Sequence, residues 1–157
     1  MKFKHVNGNI IENLAEYLKE YLKNKDFEYE IYIGSDSTYT RNNVANYAIV
    51  VAVVRKGRGV HLIYKKEKRK NVFNMQDRLW WEVEYSVQVA QYLRDNEILT
   101  NDRINAIHID INTNKKYQSN KIYSAATGYV SGMGFEFRTK PDAFIASYAA
   151  DMLCRKK

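Results

Sequence analysis

The chain has 157 residues, 25 Lys and Arg against 18 Asp and Glu, a formal net charge of +7, and 45% hydrophobic residues with one proline. That length suits one domain burying roughly two-thirds of its unfolded surface, and the composition excludes a disordered chain. A lone cysteine, Cys154, excludes an intramolecular disulfide and cysteine-rich zinc knuckles.

The basic balance favours polyanionic partners, with nucleic acid the usual one. The opening MKFKHVNGN has no apolar core of the signal-peptide kind. The longest apolar run, Ala48 to Val54, is too short to span a bilayer. Cytoplasm is therefore the expected compartment. Thirteen Tyr and two Trp could stack on bases, but most recur at core spacing and count first as packing.

In chain order, Asn9 is placed to cap a helix running to about Lys23, with Ile10, Leu14, Tyr17, Leu18 and Leu22 along one face. A first strand spans Glu28 to Gly34. Asn46 to Val54 is β-branched and continuous, as in a buried strand. The turn Lys56-Gly57-Arg58-Gly59 returns the chain antiparallel through Val60 to Tyr64, completing a three-stranded meander. From Met75 to about Arg94 the apolar period becomes helical. Asn105 to Ile111 alternates as a strand, Ser119 to Tyr129 is helical, and Phe135 to Arg138 forms a last short strand. Asp142 to Cys154 is expected as the final helix, opened by Pro141 and Asp142. The order is a helix followed by β-β-β-α-β-α-β-α, which implies an α/β fold with a mixed five-stranded sheet and helices on both faces. No linker or repeat interrupts it. A single domain over residues 1–157 is expected, with 1–27 a helical extension and 28–157 the core.

Acidic residues stand out within this frame. In Ile31-Tyr32-Ile33-Gly34-Ser35-Asp36, alternation puts Tyr32, Gly34 and Asp36 on one face. Asp and Ser also favour turns and caps, a sufficient structural role. In Ile107-His108-Ile109-Asp110-Ile111-Asn112 the isoleucines share one face, and His108, Asp110 and Asn112 the other. A carboxylate within a covered sheet must be paired, hydrogen-bonded or metal-bound. Glu82 and Glu84 both fall near the edge of the long helix's apolar stripe, and periodicity barely separates them. Asp142 suits a helix N-terminus, and Asp151 lies ~13 Å further along a regular helix.

The order of these acids is more telling than any one of them. With IGSDS at 33–37, RLWWEVEYS at 78–86, IHIDIN at 107–112, GYVSGMGF at 128–135 and KPDAFIASYAAD at 140–151, the chain resembles the YkuK-like family of the ribonuclease H-like superfamily. The resemblance covers most of residues 28–151. It implies a ribonuclease H-like fold and a metal-dependent nuclease. It also implies Asp36, Glu82, Asp110 and Asp142 as catalytic, metal-holding acids. Asp151 is the rival to Asp142, because Ala-Ala-Asp resembles the small-residue surround of the last ribonuclease H acid. Two Mg²⁺ or Mn²⁺ ions are implied, acting on phosphodiester bonds of RNA, DNA or a hybrid, and oxygen ligands suit both metals.

The basic run Lys65 to Lys70 is either a phosphate track or a solvated connection, and Lys140 is a candidate phosphate contact. His108 is more often packed than a proton shuttle. The competing reading is a non-catalytic nucleic-acid-binding module with the same fold. A phosphate-binding loop of the GxxxxGK[ST] kind does not occur. Cys154 has no evident base nearby in sequence to make it a nucleophile.

Overall fold

The computed structural model describes residues 1–23, 28–99, 105–114 and 116–155. Its strands are β1 (Phe3–His5), β2 (Ile10–Ile11), β3 (Tyr29–Thr40), β4 (Val44–Arg55), β5 (Gly59–Lys70), β6 (Asn105–Asn112) and β7 (Glu136–Lys140). The α-helices are α1 (Leu14–Leu22), α2 (Met75–Asp95), α3 (Tyr123–Gly132) and α4 (Asp151–Arg155). A 3-10 turn, Gln118–Ile122, leads into α3, and a π-helical turn, Ile145–Ala150, leads into α4.

The strands form one mixed sheet in the order β2-β1-β5-β4-β3-β6-β7. The five long strands β3 to β7 appear in the chain order expected, antiparallel through β5-β4-β3 and parallel through β3-β6-β7. The sheet has seven strands where five were expected, because residues 3–11 are not helical. They fold as a short hairpin whose inner strand β1 pairs with β5 through Lys4↔Tyr64 and His5↔Ile63, leaving β2 at the sheet edge.

The reason is local. Gly8 sits at φ +97° in a turn closed by the Gly8 N–H on His5 O at 2.9 Å, and a helix crossing Asn7-Gly8-Asn9 would forgo that turn at a propensity cost. Phe3 and Ile11, paired across the hairpin, bury in the core instead. Asn13, not Asn9, is therefore the helix cap, its side chain accepting from the N–H groups of Ala15 at 3.1 Å and Glu16 at 3.4 Å.

The strands β3 and β5 run well past their apolar segments. Each pairs with β4 over its whole length, to Thr40↔Val44 and Val44↔Lys70 respectively. Main-chain pairing to a central strand carries SDSTYT and KKEKRK into the ladder despite their polar side chains. The run Lys65–Lys70 is thus strand, not a connection.

One sheet face carries Ile31, Ile33, Val51, Ile107 and Ile109 beneath α1, α2 and α3, with Leu18, Val87, Leu93 and Val130 packed on them. The opposite face carries Tyr32, Val50, Ala52 and Ala106 beneath the π-helical turn and α4, through Ile145 and Leu153. Both faces are covered, as the mixed-sheet reading requires. Among the described residues no helix is long and apolar enough to cross a membrane.

Candidate functional site

The parallel pairing of β3 and β6 runs from Ile31↔Asn105 to Gly34↔His108 and stops there. Asp36 and Asp110 each lie two residues past that last pair, so strand alternation turns both to the same side as the strands separate. A crevice at the carboxyl ends of neighbouring strands is where open α/β sheets bind ligands.

Glu82 reaches this crevice from α2. Asn74 caps that helix by accepting from the Asp77 N–H at 2.8 Å, and Asp77 returns a carboxylate oxygen to the Phe73 N–H at 3.3 Å. The cap sets the helix phase that buries Leu79, Glu82, Val83 and Ser86. Glu82 is only 5% exposed. The Ser37 hydroxyl donates to its Oε1 at 2.5 Å, while Ser35 donates to the Glu82 carbonyl and meets Ser86 Oγ at 2.9 Å. Glu84 turns away, accepting from the Tyr129 hydroxyl at 2.7 Å.

The electrostatics report crowding. Burial, then the charges of Asp110 and Asp151, push the Asp36 carboxyl up to about 6 against the pull of the Ser37 N–H. Burial and the Asp36 charge hold Glu82 well above the usual carboxylate range, although Ser37 and Arg78 oppose them.

The fourth acid in this group is Asp151. Its carboxyl lies within hydrogen-bonding reach of Asp36, and it lines a cleft of about 600 Å³ together with Asp36, Asp110, Arg78, Lys140 and Arg155. Asp142 does not join it. It is exposed in the turn after Pro141, its N–H donating to Thr139 O at 2.9 Å, and helical winding begins only after it. The intervening π-helical turn, Ile145–Ala150, resets the phase of the chain ahead of Asp151.

Cations neighbour the acids. Lys140 Nζ stands 2.6 Å from Asp110 Oδ1, and Arg155 Nε 2.6 Å from Asp151 Oδ1. Burial alone would depress the Lys140 ammonium, but the bond to Asp110 and the fields of Asp36 and Glu82 outweigh it and raise it.

A family model described as Ribonuclease H-like matches residues 9–155 of the chain. The chain belongs to the ribonuclease H-like family. It is the YkuK family that the motifs resemble, and the mixed α/β sheet with helices on both faces agrees with a ribonuclease H-like fold. No curated protein matches the sequence.

Whether this ribonuclease H-like site suits a metal turns on its donors. Asp36, Glu82, Asp110 and Asp151 offer only hard carboxylate oxygens, the set preferred by Mg²⁺ and Mn²⁺. The raised proton affinity of Asp36 and Glu82 marks a place short of positive charge. In placement the fit is looser. Among the described residues no group of three or more His, Cys, Asp or Glu side chains stands close enough together to hold an ion, and Lys140 and Arg155 supply the neutralising charge instead.

His108 is a packed core residue of this ribonuclease H-like fold. It is 1% exposed between Tyr32 and Phe144, with ring centroids 4.7 Å away on both sides. Its Nδ1 accepts from the Ile145 N–H at 3.1 Å, and burial with the Arg138 charge pulls the imidazole down to about 4. It is neutral near pH 7, with its proton assigned to Nε2 by that hydrogen bond. The Cys154 sulfur lies 3.3 Å from Asn46 O and 3.6 Å from Thr38 Oγ1, and burial pushes its thiol up, which suits no nucleophile.

Sequence reasoning passed over Ser35, Ser37, Arg78 and Arg155. The serines carried a signal. Alternation puts them on the face of Ile31 and Ile33, where a buried hydroxyl needs a buried acceptor. The i,i+4 spacing of Asp151 and Arg155 carried another.

Proposed function

We propose that this protein is a metal-dependent nuclease that hydrolyses phosphodiester bonds of nucleic acid at the acidic cleft. One observation supports the reading above all. Three carboxylates from β3, β6 and α4 (Asp36, Asp110 and Asp151) line one cleft in a chain of the ribonuclease H-like family, and the buried Glu82 of α2 lies close enough to feel the charges of Asp36 and Asp110. Asp36 and Glu82 are both held at raised pKa by burial and neighbouring acids.

Asp36, Glu82 and Asp110 are the proposed metal-holding acids, and Asp151 takes the fourth place expected of Asp142. Two divalent ions, Mg²⁺ or Mn²⁺, would supply an attacking water acidified at neutral pH and positive charge at the leaving 3′-oxygen. The chain's own groups prepare the rest. The Ser37 N–H and hydroxyl orient Asp36 and Glu82 respectively. A bound cation would draw both raised carboxyl pKa values back down and hold Asp36 and Glu82 as carboxylates. Lys140, on a flexible four-carbon stem, exchanges Asp110 for the scissile phosphate. Arg78 and Arg155 line the same cleft and hold the flanking phosphate oxygens.

The test is Mn²⁺-dependent cleavage of labelled RNA, DNA and hybrid oligonucleotides, with Asp36→Asn and Asp110→Asn checked for folding by circular dichroism. The account expects cleavage by the natural chain and its loss in both folded variants. Cleavage that survives in both contradicts it.

A second reading draws on the ion pairs Lys140–Asp110 and Arg155–Asp151. With the acids neutralised internally, the same fold serves as a non-catalytic nucleic-acid-binding module. Calorimetry separates the two: a binding module gives no Mn²⁺ heat and binds oligonucleotides equally well in chelator.

A further inference from the structure

The acidic cleft does not stand alone. Towards β5 it meets a second cleft of about 530 Å³, whose lining includes Thr38, Asn46, Lys66, Lys68 and Arg155 together with Glu67, an acid already paired with Lys65 at 3.1 Å. Thr38 and Arg155 line both. Towards β7 it meets a third of about 470 Å³, lined by Asn112, Thr113, Lys140, Pro141 and Tyr148, with Lys140 shared. The three make one trough across the end of the sheet, with the carboxylates at its middle.

We propose that this trough binds a single strand of nucleic acid, its backbone on Lys66 and Lys68 at one end and an unstacked base on Tyr148 at the other. The proposal rests on the nucleic-acid reading of the acidic cleft and adds the form of its substrate.

Strand alternation selects the cations. Along β5, Lys65 and Arg69 turn to the α2 face, where Lys65 Nζ lies 6.0 Å from the Tyr85 ring centre and the Arg69 guanidinium 3.1 Å from that of Trp81. Lys66 and Lys68 turn the other way, exposed, onto the face that carries Asp36. Cross-strand register continues each row: Lys66↔Ala48↔Asp36 and Lys68↔Asn46↔Thr38. Lys66 therefore stands two strands from Asp36, ~10 Å at ordinary strand spacing. Of the five cations in the run, Lys66, Lys68 and Lys70 share the face of Asp36, and Lys65 and Arg69 pack on aromatic rings.

At the other end Tyr148 is 75% exposed. A tyrosine ring left in water beside Lys140 and the polar Asn112 and Thr113 has the makings of a stacking platform, with amide and hydroxyl groups beside it for a base edge. A duplex keeps its base faces covered by its own neighbours. A single strand can turn one onto Tyr148 while its phosphates follow the lysines.

The test is fluorescence anisotropy with labelled oligothymidylate and a duplex of equal length, in EDTA, so that binding is read apart from cleavage. The natural chain should bind the single strand more tightly. Lys66→Glu/Lys68→Glu should weaken it at least tenfold and flatten its salt dependence by about 1.4 in log–log slope, two contacts at ~0.7 each. Tyr148→Ala should weaken it about tenfold and Tyr148→Phe little. Lys19→Glu/Lys56→Glu, an equal charge change on α1 and at the β4–β5 turn, should cost much less. Preference for the duplex, equal loss in that control, or an unchanged Tyr148→Ala overturns the proposal. Binding as expected without Mn²⁺-dependent cleavage would count against the nuclease reading and leave this one standing.

Discussion

Replacing Asp36 with Asn should stabilise the metal-free protein, and increasingly so as pH rises. In the folded chain this carboxyl is moved from 3.8 up to about 6, first by burial and then by the charges of Asp110 and Asp151. A carboxyl with a raised folded pKa favours the native state below its unfolded value, and that contribution is lost as pH climbs through the folded one. The displacement, about 6 less 3.8, corresponds to at most about 3 kcal/mol at pH 8. Asn carries no charge and escapes the loss. At roughly 2–4 °C per kcal/mol for a chain of this size, Asp36→Asn should melt about 6–12 °C above the natural chain at pH 8 in EDTA. The gap should close towards pH 4. Differential scanning fluorimetry of both proteins across that range measures it directly, and comparing the two cancels the other titrating groups to first order. Adding Mn²⁺ should raise the natural chain and leave the variant behind. A gap that does not change with pH, or that has the opposite sign at pH 8, would refute the crowding argument.

Asp151→Asn should weaken Mn²⁺ binding by calorimetry at least tenfold and Asp142→Asn should leave it unchanged; the reverse order would restore the sequence-based assignment. Ser37→Ala removes the hydroxyl on buried Glu82 and should cost about 1–3 kcal/mol in urea unfolding at pH 8, and a neutral result would mean that Glu82 does not depend on that donor. His108, drawn down from 6.5 to about 4, contributes stability that is present above its unfolded pKa and lost as pH falls through about 4. Nitrogen-15 spectra at pH 6 should show a neutral ring protonated at Nε2, and an imidazolium there would contradict the packed role. Asn13→Ala should cost about 1 kcal/mol and Asn9→Ala only a few tenths, a comparison that tests which asparagine caps α1.

The antiparallel β3-β4-β5 meander was legible because β4 is apolar on both faces and the hairpin turn before β5 is marked by two glycines. The face assignment of β6 followed from strict alternation, and the structure keeps Ile107, Ile109 and Ile111 in the core on one side. The N-terminus misled because Ile10, Leu14 and Leu18 share a helical period, whereas Ile10 is 61% exposed in a strand. Local turn formation at Gly8 outweighed periodicity. Polar strand ends were missed for the complementary reason: main-chain pairing leaves no trace in hydropathy. Within the site, Asp36 and Asp110 were readable from alternation. Glu82 and Glu84 were not separable until packing fixed the phase of α2. Asp151 was readable only as the rival to Asp142, because the helix was expected to be regular from Asp142 onward, whereas a π-helical turn precedes Asp151.

The central claim is that cation demand, not chance, gathers these acids, and anomalous diffraction from crystals grown with Mn²⁺ tests it most directly. The account predicts manganese peaks bounded by the carboxylates of Asp36, Glu82, Asp110 and Asp151, with the Lys140 ammonium moved off Asp110. Saturating Mn²⁺ with no peak there, and Lys140 still seated on Asp110, would contradict it.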